Sequence, residues 1–283
     1  MAIITISRGC FSHGKEIAER VAESLGYECV SREVLIEAAH IFDVSEKKLL
    51  RSLHDGPTIL ERMTHGREKY LSYIQVALLE HVKKDNVVYH GHAGHLLLPK
   101  ISHVLKVRVI AELEERVGFL QQKEQISKNK ALAFIREDDK QRANWTHYLY
   151  GTEIGDPSLY DMVLNIGRLK IENACEIICT VARSETYKAT VESRKAVEDL
   201  AISSHVKVAL QDICAADVHS ENGYVHIKAK GQKLRKTGGG SKEIQLRVRE
   251  KIRADLTKEI SQRVRKIPGV KGIFCDIDLP YYS

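Results

Sequence analysis

The stretch that most constrains this chain is its start, Ile3 to Ala22, IITISRGCFSHGKEIAERVA. Ile3, Ile4, Thr5 and Ile6 are a β-branched run suited to a buried strand. A loop follows, with Gly9 and Gly14 at its ends and Lys15 directly after. Glu16 to Leu25 is amphipathic, with Ile17, Val21 and Leu25 on one face. Strand, glycine loop with lysine, then helix is the order a phosphate-binding loop needs. Glycines let backbone N–H groups close around phosphate oxygens, the helix N-terminus adds partial positive charge, and the lysine reaches the outer phosphates. The spacing fits G-x-x-x-x-G-K, so Gly9, Ser12, His13, Gly14, Lys15 and Glu16 are the candidate cradle. Glu16 stands where a Ser or Thr hydroxyl normally holds Mg²⁺. The pattern thus speaks for phosphate and lacks the metal's ligand. An ordinary strand–turn–helix satisfies the same pattern.

Beyond the first helix, strands and helices alternate. Tyr27–Val30, Asn86–His90, Leu105–Ala111 and Met162–Ile166 read as strands. Val34–Ala39, Lys69–Val82, Glu112–Gln122, a helix from Ser127 and Ile171–Val181 read as helices, and Asp55-Gly56-Pro57 as a turn. Ser31 is a plausible N-cap. Such alternation predicts an α/β fold, a parallel sheet covered on both faces, with ligands beyond the carboxyl ends of the strands. From Thr186 the pattern changes. A charged helix over 191–209 is followed by a hairpin over 217–227 turning at Asn222-Gly223. Lys228–Lys242 reads as a basic, glycine-rich mobile loop. A long helix over 243–267 then carries Ile244, Val248, Ile252, Leu256, Ile260 and Val264 at every fourth position, and Val270–Ile277 is a closing strand. The expected organisation is a domain over 1–185 and a small α+β domain over 186–283. Charge divides the same way: 25 Lys+Arg against 26 Asp+Glu in the first, 19 against 12 in the second. Six scattered cysteines form no C-x-x-C pair, so neither zinc nor a disulfide framework is indicated. With no signal-like start and no run of roughly 18 apolar residues, the expected home is the cytoplasm.

A second cluster lies on the helix from Ser127. Arg136, Asp139 and Arg142 are three apart and share a stripe. Two guanidinium forks on one face suit a transferring phosphoryl group, with Asp139 between them to orient them. A solvated, salt-bridged helix face has the same spacing. Phosphoryl transfer asks for a glycine loop and such arginines together.

Several blocks resemble the cytidylate-kinase-like family of P-loop nucleoside monophosphate kinases over about residues 1–183. They are Ile4-Thr5-Ile6-Ser7-Arg8 with Ser12 to Ala18, Arg32-Glu33, Val87 to Gly91, Arg136-x-x-Asp139-x-x-Arg142, and Arg142-Ala143-Asn144 with Tyr148, Gly151, Gly155-Asp156-Pro157 and Tyr160-Asp161. The resemblance implies a P-loop kinase-type sheet, ATP with Mg²⁺, and phosphorylation of CMP or dCMP. It implies Lys15, Arg136, Asp139 and Arg142 as the catalytic set, and Arg8, Arg32 and His92 on the acceptor. The metal is assigned no protein ligand. Phe11 and His13 stand where the family carries glycine, and Gly91-His92-Ala93 where it commonly carries Gly-Arg-Gly.

From Asn222-Gly223 to Pro268-Gly269-Val270-Lys271-Gly272-Ile273 the tail resembles a BON-type binding module. The resemblance implies a protein or lipid partner. Lys228, Lys230, Lys233, Arg235 and Lys236 suit an anionic surface, or are simply solvated. No aromatic residue interleaves with them, so nucleic acid is not expected. Homo-oligomerisation is a further reading of the tail. The expected function is an ATP-dependent phosphotransferase acting on a nucleoside monophosphate or similar small acceptor. The alternative is a catalytically weak nucleotide-binding regulator whose basic tail engages a partner or membrane surface.

Overall fold

Ile3–Arg8 forms β1, and its alternation decides which face each side chain meets. The computed structural model describes residues 2–31, 33–49, 66–91, 93–231, 233–234 and 242–282. The turn expected at Asp55-Gly56-Pro57 and the residues Arg32, His92, Arg235 and Lys236 lie outside these. Around β1 assemble β2 (Glu28–Val30), β3 (Val87–Tyr89), β4 (Val104–Ala111) and β5 (Met162–Ile166) in the order β2-β3-β1-β4-β5, all parallel. This is the sheet that the strand–helix alternation predicts.

One face is closed by α1 (Gly14–Leu25) and α7 (Ile171–Ala182). Ala2, Ile4, Ile6, Val88, Leu105 and Val107 pack there against Ile17, Val21, Cys175 and Ile178. On the opposite face the short helix α4 (Gly94–Leu97) lies against β1. A Cβ on Gly94 would come within 2.5 Å of the Tyr89 ring and 3.2 Å of Thr5, so only glycine fits. Two further helices, α2 (Glu33–Ile41) and α3 (Gly66–Val82), belong to this unit. Glu33 accepts from the Ser31 backbone N–H at 2.8 Å, so the cap comes from Glu33 reaching back. At the amino ends of the strands, Asp85 accepts from Arg194 at 2.9 Å and lies 3.2 Å from His103 Nε2.

Contacts divide the chain into compact units over 1–194 and 195–283, the boundary falling inside α8 (Val191–Leu210). The second unit has a sheet in the order β6-β7-β9. β6 (Ala216–Glu221) and β7 (Tyr224–Ala229) are antiparallel, and β9 (Gly272–Ile277) runs parallel to β7. The hairpin turns with positive φ at Asn222 (52°) and Gly223 (84°), the geometry Asn-Gly favours. Asp199 holds this turn, accepting from Ser220 Oγ at 2.7 Å and from the backbone N–H groups of Asn222 (2.7 Å) and Gly223 (2.8 Å). Within the basic stretch read as a loop, Lys228 lies in β7, and β8 (Lys233–Leu234) pairs in parallel with β10 (Tyr281–Tyr282). Among the described residues no helix is long and apolar enough to cross a membrane.

In the long helix α9 (Lys242–Val264) the apolar residues at every fourth position are not all buried. Leu256, Ile260 and Val264 are buried, whereas Ile244 and Val248 are 58% and 44% exposed. A strict four-residue repeat advances about 400° per step on a helix of 3.6 residues per turn, so it precesses by about 40° each time. Ile244 therefore sits roughly 200° around from Val264, and one core cannot receive both ends. Ile260→Ala should cost about 2–5 kcal/mol in urea denaturation of the full chain. Val248→Ala should stay within about 0.5 kcal/mol. Equal costs would contradict this burial pattern.

Candidate functional site

The loop between β1 and α1 takes its shape from backbone angles that its sequence does not favour. Phe11 and His13 have φ of 56° and 62°, the left-handed region. This is where glycine is at home, and a bulky residue there costs about 1–2 kcal/mol. Contacts offset the cost. The Phe11 ring lies 6.2 Å from Phe119 and 6.0 Å from Phe134, and His13 lies 4.7 Å from Phe119. Phe119 belongs to α5 (Leu113–Glu124) and Phe134 to α6 (Lys128–Tyr150), which Ser127 caps by accepting from the Lys130 N–H. The two large side chains are thus drawn into an aromatic cluster with these helices.

Ser12 is fully buried, and its hydroxyl lies 2.9 Å from the Gly9 carbonyl and 3.2 Å from that of Val109, to which it can donate. It pins the loop to β4. A Cβ on Gly14 would stand 2.6 Å from Arg8 Cδ, so this position admits no side chain. Lys15 is exposed, with Nζ 3.6 Å from Glu19. Glu16 pairs with Arg20 at 2.6 Å.

The fastening that sequence reasoning missed is Arg116 of α5. Its Nε donates to the Cys10 carbonyl at 2.8 Å, and Nη2 reaches Cys10 Sγ at 3.2 Å and Asp139 Oδ1 at 2.8 Å. The expected placement of Asp139 between Arg136 and Arg142 is therefore corrected: Asp139 turns to Arg116. Arg142 donates instead to Asp138 at 2.5 Å, one turn back on the same helix, and to the Arg8 carbonyl at 3.2 Å. Arg136 is exposed on α6. The structure thus brings Arg142 and Asp139 to the loop and leaves Arg136 outside this network. Arg116 was hard to see because its two partners, Cys10 and Asp139, lie on segments far apart in sequence.

Arg8 has no hydrogen bond or ion pair from its side chain among the described residues. Burial, and then the neighbouring Arg142, push its guanidinium below its ordinary value. Arginine does not shed its proton in proteins, so the site holds crowded positive charge. On the other face of the sheet, the Tyr160 hydroxyl donates to the Ile154 carbonyl at 3.0 Å. It also meets Arg108 Nη1 (3.2 Å), His95 Nε2 (3.3 Å) and Ser7 Oγ (3.4 Å). His90, at the end of β3, is 5% exposed. Burial, then Arg8, lower its pKa to about 4, and burial, then Arg108, lower that of His95 to about 3.

Phosphate fits what is present: a helix N-terminus, a loop with two left-handed residues, and a guanidinium with no ion pair among the described residues. Mg²⁺ fits less well. Among the described residues, the cluster of metal-binding groups near the loop is Cys10, Asp138 and Asp139, within 4.8 Å of one another. Both carboxylates already hold a guanidinium, burial raises the Cys10 thiol to about 11, and Mg²⁺ prefers oxygen. These residues make no ready seat for the ion.

The sequence matches the cytidylate kinase-like family over residues 3–168. The chain belongs to that family. It is 34% identical over 101 residues to the cytidylate kinase of Staphylothermus marinus, a match spanning 35% of this chain and 55% of that protein. With the cytidylate kinase of Desulfurococcus amylolyticus the identity is 32% over 171 residues, 58% of this chain and 83% of that protein. A solved structure of an uncharacterized protein from Eubacterium ventriosum superposes with a TM-score of 0.50 at 15% identity, over 65% of this chain and all of that one, which shows a shared fold alone. In this cytidylate kinase-like chain the second unit lies beyond the matched span.

Arg116→Met should lower stability by about 1–3 kcal/mol and speed amide exchange over Gly9–His13, because the buried Cys10 carbonyl and the part-exposed Asp139 carboxylate lose their donor. Unchanged exchange there would remove Arg116 from its fastening role. A pH effect follows from His90 and His95. The unfolded chain takes up protons near pH 6.5 that the native state refuses until about pH 4 and 3. Stability is therefore full above pH 6.5 and falls below it, by about 1.4 kcal/mol per pH unit for each histidine. Denaturation midpoints between pH 7 and pH 5, compared with those of His95→Phe, check the slope.

Proposed function

We propose that the chain is an ATP-dependent phosphotransferase of the nucleoside monophosphate kinase type, with CMP or dCMP as the first acceptors to test. The observation that carries the reading is the closeness of Arg8 and Arg142 beside the loop, two guanidiniums of which one has no ion pair among the described residues. Family membership and the names of its relatives support the same reading. In this scheme Gly9 to Glu16 cradle the ATP phosphates. Lys15 reaches the transferring group, and Arg142, with Arg136, neutralises its equatorial oxygens. Asp139 acts through Arg116 to hold the loop in register. Arg8, Arg32 and His92 serve the acceptor. No covalent nucleophile is required, since positioning and electrostatics carry phosphoryl transfer.

A second reading is a nucleotide-binding regulator with feeble catalysis. Favouring it, Arg116 and Arg142 are already satisfied by Asp139 and Asp138. The second unit is proposed as a BON-type module for a protein or anionic lipid partner, a reading supported by its hairpin turn packed on the Pro268-Gly269 turn. There the Lys271 N–H donates to the Gly223 carbonyl at 2.8 Å. All six cysteines are unpaired, which supports a cytoplasmic site of action.

The test is ADP release from ATP and Mg²⁺ against a panel of nucleoside monophosphates. Turnover should appear with CMP or dCMP and fall by about 10²-fold or more in Lys15→Ala, the scale for losing one charge-stabilising group. ATP binding without turnover on any acceptor would favour the regulator.

A further inference from the structure

The phosphate loop leaves one buried group at the carboxyl end of the sheet unexplained. His90 follows β3, and its backbone N–H donates to the Val30 carbonyl at 3.1 Å. Val88 pairs with Ile4 and packs on the α1 face. Two residues on, His90 comes up on that same face. The charged groups that act on it are Arg8, Lys15, Glu19 and Glu33, from β1, α1 and the start of α2. Its Nδ1 is buried and has no hydrogen-bond partner among the described residues. An unsatisfied buried nitrogen is costly, and most such atoms in native proteins find a partner. Arg8, which acts on it, is a cation with no hydrogen bond or ion pair of its own among the described residues, Asp138 acting on it only through space.

These two deficits are complementary. A phosphate monoester between them would neutralise the guanidinium and accept the imidazole N–H at once. We propose that His90 is a specificity-determining residue of the acceptor site, donating Nδ1–H to the phosphate of a monophosphate that Arg8 neutralises. The assignment rests on the kinase reading for the word acceptor, and on the unpartnered Nδ1 and Arg8 for the place. Burial and the two cations keep the imidazole neutral near pH 7, with its pKa at about 4, so it acts there as a single N–H donor. The ligand recognised is the phosphate group, and a nucleoside without it is excluded.

The experiment is calorimetric titration of the full chain, loaded with a non-hydrolysable ATP analogue, with CMP, cytidine and inorganic phosphate. The ¹⁵N imidazole resonances are followed in parallel. In the wild type, CMP and inorganic phosphate should move the His90 Nδ1 signal and cytidine should not. His90→Leu should weaken CMP by about tenfold or more, the cost of one lost charge-assisted hydrogen bond, and leave the ATP analogue within about twofold. His90→Gln, which keeps a neutral N–H donor, should lose less than about threefold. The proposal is overturned if neither CMP nor inorganic phosphate moves the His90 signal. It is also overturned if cytidine moves that signal as far as CMP does, or if folded His90→Leu binds CMP like the wild type. Should His90→Leu fail to fold, the wild-type spectra and His90→Gln still decide. Monophosphate binding through His90 with no ADP formed would uphold this assignment and defeat the kinase reading alone.

Discussion

Arg116 donates to the Cys10 carbonyl and to the Asp139 carboxylate at 2.8 Å each, and so ties the phosphate loop to α6. Most of the site depends on this guanidinium. A loop rich in glycine can adopt left-handed angles wherever a phosphate demands them. This loop reaches the same angles with Phe11 and His13, which leave it little freedom. Its shape is imposed from outside, by an arginine on one side and an aromatic cluster on the other. The expected penalty of large side chains in the loop is thereby converted into packing with α5 and α6. Preorganisation of this kind lowers the ordering cost when a ligand arrives.

Charge is distributed with the same economy. Cationic groups gather at the carboxyl end of the sheet, where Arg142 meets Asp138, Lys15 lies near Glu19, and Arg8 has no ion pair of its own among the described residues. The opposite end is closed by a balanced set, Asp85 between Arg194 and His103. A neutralised cluster holds the structure together. An unneutralised one asks for a ligand, and a phosphate beside Arg142 has to compete with a carboxylate already bonded to it.

Much of the architecture was legible in the sequence because it follows from periodicity. Short apolar stretches, most of them β-branched, marked all five strands of the parallel sheet, and Asn222-Gly223 marked the hairpin turn. Two features were not legible, for different reasons. The every-fourth-residue pattern of α9 looks like one stripe on the page and becomes a spiral on a helix, so half of it leaves the core. The pairing of β8 with β10 involves two residues on each side, too short to leave a pattern. At the site, Gly9, Gly14 and Lys15 were evident because a known spacing connects them. Arg116 and His90 were not, because their roles arise only when β1, β3, α5 and α6 meet. Arg32 and His92 were read from family likeness and lie outside the described residues.

The Tyr160 hydroxyl joins β1 through Ser7, β4 through Arg108, α4 through His95 and the chain after α6 through Ile154. That knot fixes one end of a very short connection. The other end is Tyr150, the last residue of α6, followed by Gly151 in the left-handed conformation with open space around its Cα. If the arginine-bearing helix swings, the four residues from Gly151 to Ile154 must absorb the rotation, since the sheet side is anchored. About such a pivot the stroke of each arginine would scale with its distance along the helix from Gly151, so Arg136 would sweep further than Arg142.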